Sequence, residues 1–190
     1  MTIRSVRILS EAAASALPPT PRTAIFSITD PGHQTPLQPG WARIHRHQFT
    51  ETAYDARTLE FAPIHQWIAG GAISPLQAIE IRQQIAALAA DPEPWDIICQ
   101  CSTGISRSAA IARFIAERQG PKTNRSPSRH ANSTVLALLR NPWCLVSKEH
   151  FEALITPPWK RAVQRLWPGR SQRGTGIALR QPVDYHNRIR

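Results

Sequence analysis

Sulfur is scarce in this chain, with one methionine and three cysteines in 190 residues. Cys99, Cys101 and Cys144 cannot form an even disulfide framework, which excludes the small cross-linked secreted scaffolds. No apolar run approaches the ~18 residues that a membrane helix needs, and no apolar stretch at the amino end resembles a signal peptide. A reducing, cytoplasmic setting is therefore expected. Carboxylates are also few, 13 against 23 lysines and arginines. The net charge is −2 over residues 1–100, +5 over 101–156 and +7 over 157–190. The basic surplus belongs to the back half, where it suits nucleic acid, an anionic surface or an acidic partner.

The length suits one domain with a sizeable core plus an appendage. Val6-Arg7-Ile8-Leu9 reads as a short strand and Glu11 to Leu17 as an alanine-rich helix ended by Pro18-Pro19. Residues 24–29 read as a core strand closed by the turn Asp30-Pro31-Gly32, and residues 42–49 as a further strand. Thr58 to Ala69 has a helical pattern interrupted by Pro63. Ser74 looks like an N-cap with Pro75 at the first helical position, opening a helix to Ala90 with an apolar face of Leu76, Ile79, Ile81, Ile85 and Leu88. Gln119 to Ser128 reads as a basic loop. Asn132 or Ser133 caps a helix with Val135, Leu136, Leu138 and Leu139, and another helix runs from Lys148 to Ile155. Beyond Pro157-Pro158 the character changes, so residues 1–156 are expected as the main domain. Residues 157–190 are expected as a basic extension, an amphipathic helix over Trp159–Trp167 and then a flexible tail.

The most informative segment is Cys101-Ser102-Thr103-Gly104-Ile105-Ser106-Arg107-Ser108. It follows a buried strand beginning at Trp95-Asp96-Ile97-Ile98-Cys99 and opens an alanine-rich helix. Backbone N–H groups of a helix's first turn favour a tetrahedral anion at such a junction. Gly104 lets the backbone turn inward. Arg107 can add a bidentate fork that lysine's point charge does not match. The same positive surroundings depress a cysteine's pKa and make its thiolate available for attack on phosphorus, giving a phosphocysteine. Ser108 can hydrogen-bond that thiolate and help it leave.

Cys-x5-Arg-Ser resembles the signature of cysteine-dependent protein tyrosine phosphatases, in their compact dual-specificity and bacterial branch. The resemblance extends over Val6 to Leu139. Ala24-Ile25-Phe26-Ser27-Ile28-Thr29-Asp30 is similar to an early core strand of such enzymes, and Ser74-Pro75-Leu76-Gln77-Ala78 to the start of the helix before the signature strand. It implies an α/β, three-layer phosphatase-like domain. Its central, mostly parallel sheet would have about four or five strands with helices on both faces, and the signature loop would sit at the carboxyl end of a central strand. It implies a phosphomonoester hydrolase, a protein tyrosine or dual-specificity phosphatase, with Cys101 as nucleophile and Ser102, Thr103, Gly104, Ile105, Ser106 and Arg107 binding phosphate. No cofactor or metal is implied; the partner is a phosphorylated protein or a small phosphomonoester. Gln100 departs from the pattern, because family members usually carry histidine there. Glutamine is expected to leave Cys101 with a higher pKa and slower attack, its amide bonding backbone groups.

The family's general acid is an aspartate on a separate upstream loop, and Gly70 to Ile79 holds no carboxylate. Glu51 and Asp55, after the strand at 42–49, are the two candidates, with Glu60, a histidine or no protein acid remaining open. His45 and His47 alternate on that strand and share a face, but no third or fourth metal ligand lies within reach, so hydrogen-bonded or surface histidines are the expectation. A Cys99–Cys101 redox pair would be strained at that spacing. The variable loop positions hold no lysine, which points away from phosphoinositides and towards phosphotyrosine or phosphoserine/threonine proteins. Two alternatives remain: removal of 5′ phosphates from RNA through the basic back half, and a pseudophosphatase that binds phosphate without turnover.

Overall fold

The computed structural model describes residues 3–120, 122–123 and 130–156. Strands and helices follow in the order β1 (Ile3–Ser10), α1 (Glu11–Ala16), β2 (Thr23–Thr29), β3 (Arg43–Gln48), a 3-10 turn (Thr58–Glu60), α2 (Ile64–Ala69), α3 (Pro75–Ala90), β4 (Trp95–Cys101), α4 (Arg107–Gln119), β5 (Lys122–Thr123), α5 (Ser133–Arg140) and α6 (Lys148–Ile155). The strands form one all-parallel sheet in the order β3-β2-β4-β1-β5. The α/β class is thus as expected, with β4 in the middle. Met1–Phe151 form one compact unit, and the expected boundary after Thr156 coincides with the end of the described residues. The expected basic helix and tail at 157–190 lie outside the described residues, as does most of the basic loop; the two-residue strand β5 forms inside that loop.

Strand alternation sorts the core onto two faces. Val6, Ile8, Ala24, Phe26, Ile28, Ile97, Cys99 and Cys101 share one face with the buried residues of α3, α4 and α5. Ile25 and Ile98 face the other way, covered by Trp41, Leu37 and Leu17. This second layer is thin, supplied by the residue after α1 and by the irregular segment between β2 and β3.

Several elements differ from expectation for identifiable reasons. Pro63 has no N–H and an extended backbone, and the interruption read there is a full break: the pattern over 58–69 divides into the 3-10 turn and α2, with Pro63 as the α2 N-cap. In α3 Ser74 is the N-cap with Pro75 at the first position, as read, and Gln77 completes a capping box with it. Leu76, however, is exposed, because the buried stripe is Ala78, Ile81, Ile85 and Leu88, and a residue two positions ahead of Ala78 points away from it. Asn132, not Ser133, caps α5 by accepting from the Val135 N–H.

The crossing from β3 to α2 is tied down by polar contacts inside the core. The Thr134 hydroxyl accepts from the Tyr54 N–H at 2.7 Å and donates to the Tyr54 carbonyl at 2.5 Å. The Tyr54 phenol donates to the Ile73 carbonyl at 2.6 Å, and its ring stacks on Trp67. Thr134→Val keeps the shape and strands both buried backbone groups of Tyr54. The variant should lose about 2–3 kcal/mol of stability, read as a lower urea midpoint at unchanged slope.

Candidate active site

Because the strands are parallel and in register, their carboxyl ends come level. Ser10 lies opposite Cys101, Ser27 opposite Gln100, and Thr29 opposite Gln48. The next residue of each chain segment, Glu11, Asp30, Phe49 and Ser102, therefore arrives at one edge of the sheet. Glu11 N–H donates to the Ser102 carbonyl at 3.2 Å, and Phe49 N–H to the Thr29 carbonyl at 3.0 Å. Ligands bind preferentially at this edge of open α/β sheets.

The signature loop turns on Gly104, whose φ of 71° lies in the left-handed region. A Cβ there would sit 2.7 Å from the Leu9 carbonyl carbon and the Ser10 nitrogen, both backbone atoms that cannot swing away. Glycine is thus required twice, by conformation and by the close approach of β1.

Cys101 is fully buried at the end of β4, with its Sγ 3.2 Å from the Ser108 hydroxyl in the first turn of α4. Burial pushes this thiol up, but the Ser108 hydroxyl and the backbone N–H groups of Ser108, Gly104 and Ile105 outweigh it, so its pKa is lowered from the usual value. Cys99, two residues earlier on the same face, has no such donors, and burial drives it upward. It is a small buried hydrophobe, as alternation implied. All three cysteines are free.

Arg107, the first residue of α4, is 1% exposed. Its Nη1 donates to the Asp30 carboxylate at 2.9 Å and to the Phe49 carbonyl at 2.7 Å. Nη2 reaches the Ser102 hydroxyl at 3.4 Å, a weak contact, and the buried Nε has no hydrogen-bond partner. An unpaired donor of a buried cation is costly unless something anionic meets it.

The two expected acids part company. Glu51 is exposed, and its backbone is anchored beside the loop: the Asn132 side-chain amide donates to the Glu51 carbonyl at 2.9 Å, while the Asn132 N–H donates to the Ser106 carbonyl at 3.2 Å. Asp55 instead caps the 3-10 turn. Its carboxylate accepts from the Thr58 N–H at 2.9 Å, and this bond foremost holds its carboxyl below the usual range. Of the two candidates, Asp55 is thus the one whose carboxylate is already engaged, in a bond that favours its ionised form over the acid a leaving group needs.

Gln100 also departs from expectation. It faces away from Cys101, as strand alternation requires, and its Nε2 donates to the hydroxyls of Ser27 at 2.5 Å and Thr35 at 2.7 Å, not to backbone. His47 is buried and meets Gln84 at 2.8 Å, while His45 packs on Phe26 with ring centroids 4.8 Å apart. Burial foremost, then the neighbouring His47 and Arg43, lowers His45 to about 4, which keeps it neutral in the wall of the core. Among the described residues no cluster of three or more metal-ligating side chains occurs, and no helix is long and apolar enough to cross a membrane.

Asp30 is the site residue that the sequence reading missed. It was read as the first residue of a turn, and the available signal was its position directly after a strand whose seven residues are all buried.

No protein-family model matches this chain, and comparison with curated proteins and with solved structures returned no match.

The donors at Cys101 generate a direct expectation. Ser108→Ala removes the side-chain hydrogen bond to the thiolate while leaving the helix-start N–H groups. The Cys101 titration, followed by thiolate ultraviolet absorbance, should move upward by about one pKa unit, and Cys144→Ala should leave it in place.

Proposed function

We propose that this protein is a cysteine-dependent phosphomonoester hydrolase. One observation carries the reading: a single strand-loop-helix junction holds a thiol lowered by converging hydrogen bonds and, six residues later, a buried guanidinium with an unpartnered Nε. Thiolate and cation at that separation suit a group that is both electrophilic and anionic, as a phosphoryl group is.

In this reading the Nε and Nη2 edge of Arg107 and the loop N–H groups bind the phosphoryl oxygens. The Cys101 thiolate attacks phosphorus, the P–O bond to the leaving group breaks, and the leaving oxygen takes a proton from a carboxylic acid. Water then attacks the phosphocysteine and gives its proton to that carboxylate. The S–P bond breaks, and the thiolate is received by the Ser108 hydroxyl. Glu51 is our choice of acid, because its backbone is anchored to the signature loop through Asn132 and its carboxyl is not engaged in a cap. The substrate class follows the resemblance, phosphorylated protein before phosphoinositide.

A phosphate-binding module without turnover is the second reading, favoured by the complete burial of Cys101. The RNA 5′-phosphatase reading depends on basic residues of which many lie outside the described ones.

Hydrolysis of para-nitrophenyl phosphate separates these readings. Cys101→Ser should lower kcat about 10³-fold or more, and equal rates for the two proteins would remove the catalytic reading. Glu51→Gln should lower kcat about 10²–10⁴-fold for poor alkyl leaving groups. The loss should be much smaller for nitrophenolate, which needs little protonation; an equal loss for both substrates would argue against Glu51 as acid.

A further inference from the structure

We infer that Asp30 is a positioning residue that presents one edge of Arg107 to an oxyanion. The inference rests on the phosphate-site reading above and adds a residue to it. A guanidinium has five N–H bonds in a fixed plane, two on each terminal nitrogen and one on Nε. Both protons of Nη1 have protein acceptors, the Asp30 carboxylate at 2.9 Å and the Phe49 carbonyl at 2.7 Å. With Nη1 pinned at two points, the plane of the group is fixed.

The donors that remain are Nε, buried and unpartnered, and Nη2, with only the 3.4 Å contact to Ser102. These two lie side by side on one edge, at the separation that two oxygens of a tetrahedral oxyanion accept in parallel. Asp30 therefore does not occupy the place of the anion; it takes the opposite corner of the cation. It is suited to this because the register of the sheet brings it level with the signature loop, and because its carboxylate stays half-exposed while the guanidinium it holds is 2% exposed. The Phe49 carbonyl cannot do this alone, since one acceptor leaves the plane free to tilt.

The alternative role for the same contact is competition, in which Asp30 neutralises Arg107 and blocks anion binding. The two roles have opposite signs. Positioning predicts that Asp30→Ala raises the inhibition constant of inorganic tungstate and the KM for para-nitrophenyl phosphate about 10–100-fold, with a smaller change in kcat. Asp30→Asn, whose amide oxygen still accepts from Nη1, should recover most of that loss. Unchanged or tighter tungstate binding by Asp30→Ala overturns the inference and leaves the hydrolase reading standing. If Asp30→Ala does not fold, the unaltered protein gives the answer by ¹⁵N-resolved NMR. Tungstate should shift the Arg107 Nε–H resonance far more than those of Nη1, and a larger shift at Nη1 overturns the assignment. A wild-type protein that binds no tungstate removes the phosphate site itself and this inference with it, whereas hydrolysis and tungstate binding that are indifferent to Asp30 remove only the inference.

Discussion

A guanidinium taken out of water at the start of α4 is the constraint around which this end of the molecule is arranged. Such a cation costs several kcal/mol to desolvate unless its protons are met, and Arg107 meets its partners only because three separate segments arrive together. Asp30 follows β2, Phe49 follows β3 and Ser102 follows β4. A one-residue slip in any of these strands would turn its side chains to the opposite face and shift its end along the sheet. The hydrophobic alternation of Ala24, Phe26 and Ile28 against Ile25, and of Ile97 and Cys99 against Ile98, thus sets the core and, through the register, the coordination of one buried cation.

The same arrangement explains why the loop after β4 is so short and so closely packed. Cys101 and Ser108 lie on the helix-covered face, their side chains meeting across the loop. Between them the backbone must reverse against β1, which Gly104 alone permits. The turn draws the N–H groups of Gly104, Ile105 and Ser108 onto the thiol. Desolvation and hydrogen bonding therefore oppose one another at Cys101, while at Cys99, one strand period away, desolvation foremost and then the neighbouring Cys101 both push the thiol up. Two buried thiols on one face of one strand acquire opposite acid strength from this local difference.

Much of this was legible in the sequence where the signal was local. The Ser74-Pro75 cap, the Trp95 strand, the loop and the helix after it depend on neighbouring residues, and they form as read. Pro63 divides the 58–69 pattern where it was expected to interrupt it, and the local error has a local cause: Leu76 misses a stripe by two positions. The contact of Asp30 with Arg107 was not legible, because it depends on β2 lying beside β4, and strand order is carried by contacts between residues 77 positions apart. The same holds for Asn132, which reads as a helix cap and is one, yet its side-chain amide and its backbone N–H also join the Glu51 segment to the signature loop. Asp55 shows the converse. A carboxylate near the right place in the sequence was weighed as an acid, while the Thr58 three residues on already offered it a turn to cap.

Gln100 brings these strands of reasoning together. From the sequence it stands next to Cys101, so a direct effect on the thiol is the natural expectation. The pleat places it on the opposite face, where it bonds Ser27 and Thr35. Thr35 belongs to the segment between β2 and β3 that begins at Asp30, and its carbonyl also accepts from Arg46 of β3. Through Ser27 before Asp30 and Thr35 after it, the Gln100 amide holds the chain on both sides of the carboxylate that meets Arg107. Its Oε1 is buried without a partner, so the amide is held by its two donor bonds alone. The residue before Cys101 thus braces the segment that begins with the carboxylate on Arg107, while the thiol is tuned from the other face by Ser108.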